Sequence, residues 1–272
     1  MYRLITTDLD ETLLNDEKKV CQRNRDAIAA ARDKGVKVVL ATGRPWQSAR
    51  GTLEEIGEYQ QPGEYMISFN GGAITENAGE KLLYFQGMDF AEIKELFERA
   101  LKYDVGVHVY TIDKTYGWNL DEKEHQFLHN RLDVEELEEP NIDFLKDDKF
   151  VKILYYNTDR DYLNGIEEDL KDITGNMDVS YSSNRYLEFN RKGVNKGTGL
   201  ARLAEILGID IAETMALGDN FNDLAMIETA GLGVGVANTV PGVREKCDYI
   251  TQADYKEGGV AEAIEKFVLN ED

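Results

Sequence analysis

An α/β fold with a parallel sheet, interrupted by a second domain of α+β type, is what three features of this 272-residue chain predict. Strand-like and helix-like stretches alternate up to about Phe69 and again from Asn195 onward, and that rhythm belongs to parallel sheets with crossover helices. Hairpin-like strand pairs fill the interval between. The length suits two domains, or one with a large insertion. The boundaries read as a core at 1–83 and 190–272 and an inserted domain at 84–189.

The first strand is the β-branched and apolar run Leu4 to Thr7. Gln22 to Lys34 reads as a helix with Ala27, Ile28 and Ala31 on one face and Gly35 ending it. Val36 to Ala41 is a buried strand, and Pro45 suits the first turn of a helix running to about Ile56. Tyr65 to Phe69 is the third strand, and Asn70-Gly71-Gly72 is a turn. In the insertion, Phe90, Ile93, Leu96, Phe97 and Leu101 mark a helix, and Val105–Tyr110 and Thr115–Asn119 read as hairpin strands. The charged segment from Asp121 to Glu139 reads as helical. Phe150–Tyr156 is a strand, Leu163, Ile166, Leu170 and Ile173 mark a helix, and Val179–Tyr181 with Tyr186–Phe189 form a last pair. Beyond Asn195, Leu200, Leu203, Ala204 and Leu207 form a helical stripe closed by Gly208. Thr214–Leu217 is a strand, Asn222–Thr229 a helix, Leu232–Val236 a strand and Gly259–Leu269 a helix.

A net charge of -21 argues against a nucleic-acid backbone or an anionic membrane surface as partner. Only Cys21 and Cys247 are present, so no disulfide framework is indicated and a reducing cytoplasm is expected. The sequence begins without a signal-peptide pattern and holds no apolar run of membrane-spanning length.

Four short runs carry chemistry, each at the end of a strand or the start of a helix, where open α/β sheets bind ligands. Asp8 and Asp10, with Thr12, supply ionised carboxylates suited to a hard cation and a nucleophile. Thr42-Gly43 offers a hydroxyl and free amides to a phosphate, although Thr-Gly is also an ordinary turn. Lys196 stands in the first turn of a helix, where its charge opposes the dipole and a bound anion would account for it. Gly218-Asp219-Asn220-Phe221-Asn222-Asp223 provides oxygen ligands and an amide donor; capping explains one or two of these residues but not the run.

In this order the four runs resemble the motifs of the haloacid dehalogenase superfamily. The insertion and the Asn70-Gly71-Gly72-Ala73 turn resemble its Cof-type phosphatases, which carry a type-two subtype-B cap. The resemblance implies a Rossmann-like parallel-sheet core with an inserted α+β cap. It implies that Asp8 attacks phosphorus to form an aspartyl-phosphate, and that Asp10 protonates the leaving oxygen and later activates water. It implies Mg2+ held by Asp8, the Asp10 carbonyl and Asp219, with Asp223 bracing the metal from behind. Thr42, Gly43, Arg44, Lys196 and Asn222 would bind the phosphoryl group and substrate, a small phosphorylated metabolite such as a sugar phosphate or phosphorylated cofactor. The second Asp excludes the dehalogenase branch, which lacks it, and the transport ATPases, which carry Thr there. A phosphomutase and a non-catalytic phosphometabolite sensor are the alternatives, and intact Asp8 and Asp10 argue against the sensor. In the insertion, His108, Tyr110, Tyr116, Trp118 and Arg185 are candidates for the leaving group, with sheet packing the commoner use of such residues. His125 and His129, four apart, read as an exposed helix face.

Overall fold

The computed structural model describes residues 1–129 and 132–270. The chain forms two compact units, 1–85 with 194–272, and 86–193. In chain order the first stretch contains β1 (Leu4–Thr7), α1 (Gln22–Asp33), β2 (Lys37–Ala41), α2 (Arg50–Glu55), β3 (Tyr65–Ser68), β4 (Ala73–Glu76) and β5 (Lys81–Phe85). The inserted unit contains α3 (Phe90–Ala100), β6 (Gly106–Thr111), β7 (Thr115–Trp118), α4 (Glu122–Leu128), β8 (Val134–Glu136), β9 (Phe150–Tyr156), α5 (Arg160–Asp169), β10 (Met177–Ser182) and β11 (Tyr186–Arg191). The chain closes with α6 (Lys196–Leu207), β12 (Thr214–Gly218), α7 (Leu224–Thr229), β13 (Leu232–Gly235), α8 (Pro241–Arg244), β14 (Tyr249–Ile250) and α9 (Gly259–Ile264).

The first unit is built on one sheet of order β14-β13-β12-β1-β2-β3-β4-β5. Its strands are parallel from β14 to β3, and β4 and β5 turn back antiparallel. Strand β1 is buried along its whole length, as expected for a parallel strand covered on both faces. Leu200, Leu203 and Ala204 of α6 and Met226 of α7 pack on Leu4, Val39, Ala41 and Ile67. Helix α1 packs with α9 and against β2. The chain leaves β1 for β2 on one side and returns to β12 on the other. The carboxyl end of β1 is therefore a topological switch point, with Asp8, Thr42 and Asp219 following three adjacent strands.

The inserted unit has its own sheet, of order β10-β11-β9-β6-β7-β8. Its α3 and α5 bury Ile93, Leu96, Phe97, Leu163 and Ile166 against Val107, Val109, Ile153, Tyr155, Leu187 and Phe189.

Several local expectations are corrected. The segment 121–139 is not one helix: α4 ends at Leu128 and β8 follows, its Val134 beside Thr115; Asn130 and Arg131 lie outside the described residues. The helix after Pro45 begins as a 3-10 turn, Trp46–Ala49. The strands β4 and β5 were hidden by their polar, Gly-containing connection. The first unit takes in all of β5 and so ends at 85 rather than 83, and it resumes at 194 rather than 190 because β11 runs on to Arg191. The helix expected from Asn222 starts at Leu224, since Asp223 spends its side chain on the backbone amides of Asp219 and Asn220.

The turn after β3 holds Phe69, Asn70 and Gly71 at positive φ. At Gly71, φ is +96°, and a Cβ there would sit on the Asn195 carbonyl. A Cβ on Gly199 would in turn lie 2.8 Å from the Gly71 Cα. Backbone thus meets backbone where α6 begins, and only glycine allows it. Gly71→Ala is expected to cost about 3 kcal/mol or more in urea unfolding, from left-handed strain plus overpacking. Gly51→Ala, at an open helical position, should instead gain about 0.5–1 kcal/mol; equal effects at the two sites would refute this account.

Candidate active site

Asp8 extends β1 by one residue, its amide donating to the Leu217 carbonyl at 3.0 Å. Thr42 follows β2 in the same way, bonded to the Ile67 carbonyl. Asp219 follows β12. Lys196 opens α6, whose amino end is closed by a capping box between Asn195 and Thr198. A cleft of about 250 Å³ collects Asp8, Asp10, Glu11, Thr42, Gly43, Arg44, Asp219, Asn220 and Asn222. The strand ends and motif loops of the first unit therefore bring the predicted Asp8, Asp10, Thr42, Gly43, Arg44, Asp219 and Asn222 together, with Lys196 directly behind Asp8.

The Lys196 ammonium is wholly buried. It donates to Asp8 Oδ1 and, at 2.6 Å, to Asp223 Oδ1. Its opposition to the helix dipole is thus answered by two carboxylates. Burial works against its charge, but Asp8 and Asp223 outweigh burial and hold its pKa above the usual lysine value. Asp223 Oδ2 accepts from the Asp219 and Asn220 amides at 3.0 and 3.1 Å, so both its oxygens are occupied. Thr12 Oγ1 donates to Asp219 Oδ1 at 3.0 Å.

Carboxylate oxygens of Asp8, Asp219 and Asp223 lie within 4.8 Å of one another, and Lys196 is paired with two of them, Asp8 and Asp223. The surplus negative charge adds to burial in raising two of these carboxyls. Burial, aided by Asp223, pushes Asp8 up to about 6 despite Lys196. Burial, with Asp223 and Asp8 adding to it against the Thr12 hydrogen bond, pushes Asp219 up to about 7. An all-oxygen, acid-rich set with unneutralised charge fits a hard divalent cation. With Asp223 already saturated, Asp8 and Asp219 are the side chains free to hold it.

Asp10 differs from Asp8 in exposure and in the direction of its pKa shift. Its side chain is 40% exposed and accepts on Oδ1 from Lys18 Nζ at 2.9 Å and from Arg44 Nη2. Burial raises its pKa, but those hydrogen bonds and charges prevail and leave it below the usual value. Arg44 is steered by its amide bond to Thr42 Oγ1 and by its carbonyl, which accepts from Phe69 N. The Asn70 side chain lies against Gly43.

Lys18 and Glu11 escape the sequence reading, whereas Asn220 stands inside the 218–223 run read there as ligand-bearing. Lys18 is one basic residue in a charged loop, and its distance from Asp10 depends on a turn that no motif announces. In the inserted unit, His108 is fully buried, 3.2 Å from the buried Glu124 carboxylate, which also takes bonds from Arg185 and Tyr186. Tyr116 packs into the core of that unit. His125 is partly exposed, 3.6 Å from Glu136.

A family model described as haloacid dehalogenase-like hydrolase matches residues 5–264. The chain belongs to that family. Over 270 residues this hydrolase is 32% identical to the putative phosphatase YxeH of Bacillus subtilis, covering 99% of each chain. It is 33% identical to the B. subtilis 5-amino-6-(5-phospho-D-ribitylamino)uracil phosphatase YcsE, over 98% of this chain and 96% of that one. A crystal structure of a haloacid dehalogenase-like hydrolase from Bacteroides thetaiotaomicron superposes with a TM-score of 0.83 at 33% identity, covering 97% of this chain and 99% of that one. This hydrolase is an enzyme of the phosphatase type. Among its described residues no helix is long and apolar enough to cross a membrane.

The raised carboxyls set a pH dependence for metal-free protein. Folded Asp8 and Asp219 keep protons that the unfolded chain releases near pH 4, so their contribution favours the folded state at low pH and is lost as pH rises through 6 to 7. Relative to Asp219→Asn, the metal-free wild type should lose thermal stability between pH 4 and 7, and magnesium should restore it at pH 7. Parallel stability profiles for the two proteins would contradict the charge surplus.

Proposed function

We propose that this hydrolase is a magnesium-dependent phosphatase of small phosphomonoesters, working through an aspartyl-phosphate on Asp8. The observation that carries the reading is the division of labour between two carboxylates two residues apart: Asp8 buried against Lys196, Asp10 at the rim among Arg44 and Lys18. One is aimed and shielded as a nucleophile must be. The other is placed to exchange protons with solvent and a leaving group.

Thr42, the Gly43 amide, Lys196 and Asn222 would bind the phosphoryl oxygens, and Asp8 would attack along the axis leading out past Asp10. Asp10 would give its proton to the departing alkoxide, then take one from the water that cleaves the acyl phosphate. Magnesium, held by Asp8, Asp219 and the Asp10 carbonyl with Asp223 bracing, would supply positive charge to the transferring group. Lys196 adds to that charge and keeps Asp8 oriented. The inserted unit, expected at 84–189, we assign as the cap that governs specificity. Relatives named as phosphatases of 5-amino-6-(5-phospho-D-ribitylamino)uracil, of phosphoglycolate and of HMP-PP support a small phosphorylated metabolite as substrate. Two free cysteines suit a reducing cytoplasm.

A panel of phosphomonoesters with and without magnesium tests this. Inorganic phosphate should appear only with the metal, and Asp8→Asn should abolish its release while circular dichroism stays native. Full turnover by Asp8→Asn would eliminate the assigned nucleophile, and a phosphorylated isomer as product would replace hydrolysis by phosphomutase chemistry. Asp10→Asn should lower kcat about 10²–10⁴-fold on alkyl phosphates and less on an aryl phosphate whose leaving group needs no proton.

A further inference from the structure

The mouth of the cleft carries two cations that the phosphoryl-binding set does not use. Lys18 and Arg44 converge on one oxygen of Asp10, with side chains 59% and 37% exposed. Lys18 is held there by a folded loop. Bridges pair Asp10 with Leu14 and Leu14 with Val20, and Asn15 Oδ1 accepts from the amides of Glu17 and Lys19 at 3.0 Å each. Lys18 itself has φ +57°, its amide donating to the Asn15 carbonyl. Glycine would adopt that backbone at less cost, so the turn's chemistry lies in the lysine side chain it presents.

We propose that Lys18 and Arg44 form a recognition site for a second anionic group on the leaving group, making this enzyme selective for phosphate esters that carry a carboxylate or further phosphate close to the ester oxygen. The inference rests on the phosphatase reading, which sets the direction of departure. With the transferring phosphoryl group against Asp8 and Lys196, and Asp10 against the ester oxygen, the next atoms of the leaving group lie beside the cations that Asp10 holds. An anion there exchanges with Asp10 for the same donors. The Arg44 guanidinium can grip a carboxylate or phosphate in bidentate fashion, and Lys18 adds a point charge. Lys196 cannot serve, because Asp8 and Asp223 already occupy it. Glu11 also lines the cleft and opposes an anion, so each cation is needed for the full selectivity. A neutral leaving group leaves Arg44 and Lys18 on Asp10 and gains nothing from them.

The test uses two esters matched in size, phosphoglycolate and 2-hydroxyethyl phosphate, with the full-length magnesium-loaded enzyme. The wild type should favour the carboxylate by about tenfold in kcat/KM, the sum expected of two partly exposed charge contacts. Lys18→Gln should cut that ratio about threefold to fivefold, chiefly through KM for the anionic ester. Rising ionic strength should shrink the ratio in wild type more than in Lys18→Gln. Equal hydrolysis of the two esters by wild type, or an unchanged ratio in Lys18→Gln, overturns the proposal. If neither ester nor any panel member is hydrolysed, the phosphatase reading itself fails. Calorimetric binding of both esters to Asp8→Asn then still decides: preference for the carboxylate that Lys18→Gln removes upholds the site, and equal affinity removes it.

Discussion

One buried ammonium organises the catalytic half of this molecule. Lys196 is enclosed with no exposed surface and reaches two carboxylates from different strand ends. Deprived of both partners, it would be a charge stranded in a low-dielectric interior, at a cost of about 3–5 kcal/mol. Asp8 at the end of β1 and Asp223 beside β12 are therefore fixed relative to each other through a third element, α6. The glycines around the start of that helix serve the same end. Gly71 and Gly199 let the turn after β3 touch it, and a Cβ on Gly197 would strike the Ala225 carbonyl. The packing places the helix, the helix places the lysine, and the lysine places the carboxylates.

Much of this was legible in the sequence because it depends on short-range order. Asp8, Thr42 and Asp219 each follow a strand that its composition discloses, and parallel topology puts adjacent strand ends side by side. Lys196 stands out in the sequence because it violates the helix dipole, a local rule that only a long-range partner could offset. Lys18 was invisible for the opposite reason: a lysine in a polar loop breaks no rule, and its left-handed φ has no composition signal. The 121–139 segment misled because its charges suit an exposed helix as well as a loop. What broke the helix, the pairing of β8 with β7, is tertiary.

The inserted unit solves a similar problem with different chemistry. Glu124 is fully buried there, and Arg185, Tyr186 and His108 surround its carboxylate. Burial pushes its pKa up, but these three neighbours hold it below the usual glutamate range. Its charge is spent on tying α4 to the sheet through side chains from β6 and β11. In the first unit the acidic side chains exceed their donors, and that excess leaves a place for a cation. In the inserted unit the donors are sufficient, and the carboxylate serves the architecture.

Strand β1 is central in its sheet, yet one of its neighbours, β12, lies at the far end of the chain. The Thr12 hydroxyl and the Asp219 carboxylate it meets are 207 residues apart. As the chain emerges during synthesis, β1 can pair with β2 at once, but its other edge stays open until the whole insertion has been made. The inserted unit is continuous in sequence and can complete its own sheet during that wait. Loop closure across a folded insertion spans a shorter effective distance than across a loose coil, so early folding of the insertion eases the last pairing. The cleft at these strand ends therefore cannot form until β12 has been made, and a protein trapped before that pairing would lack the cleft while carrying most of its secondary structure.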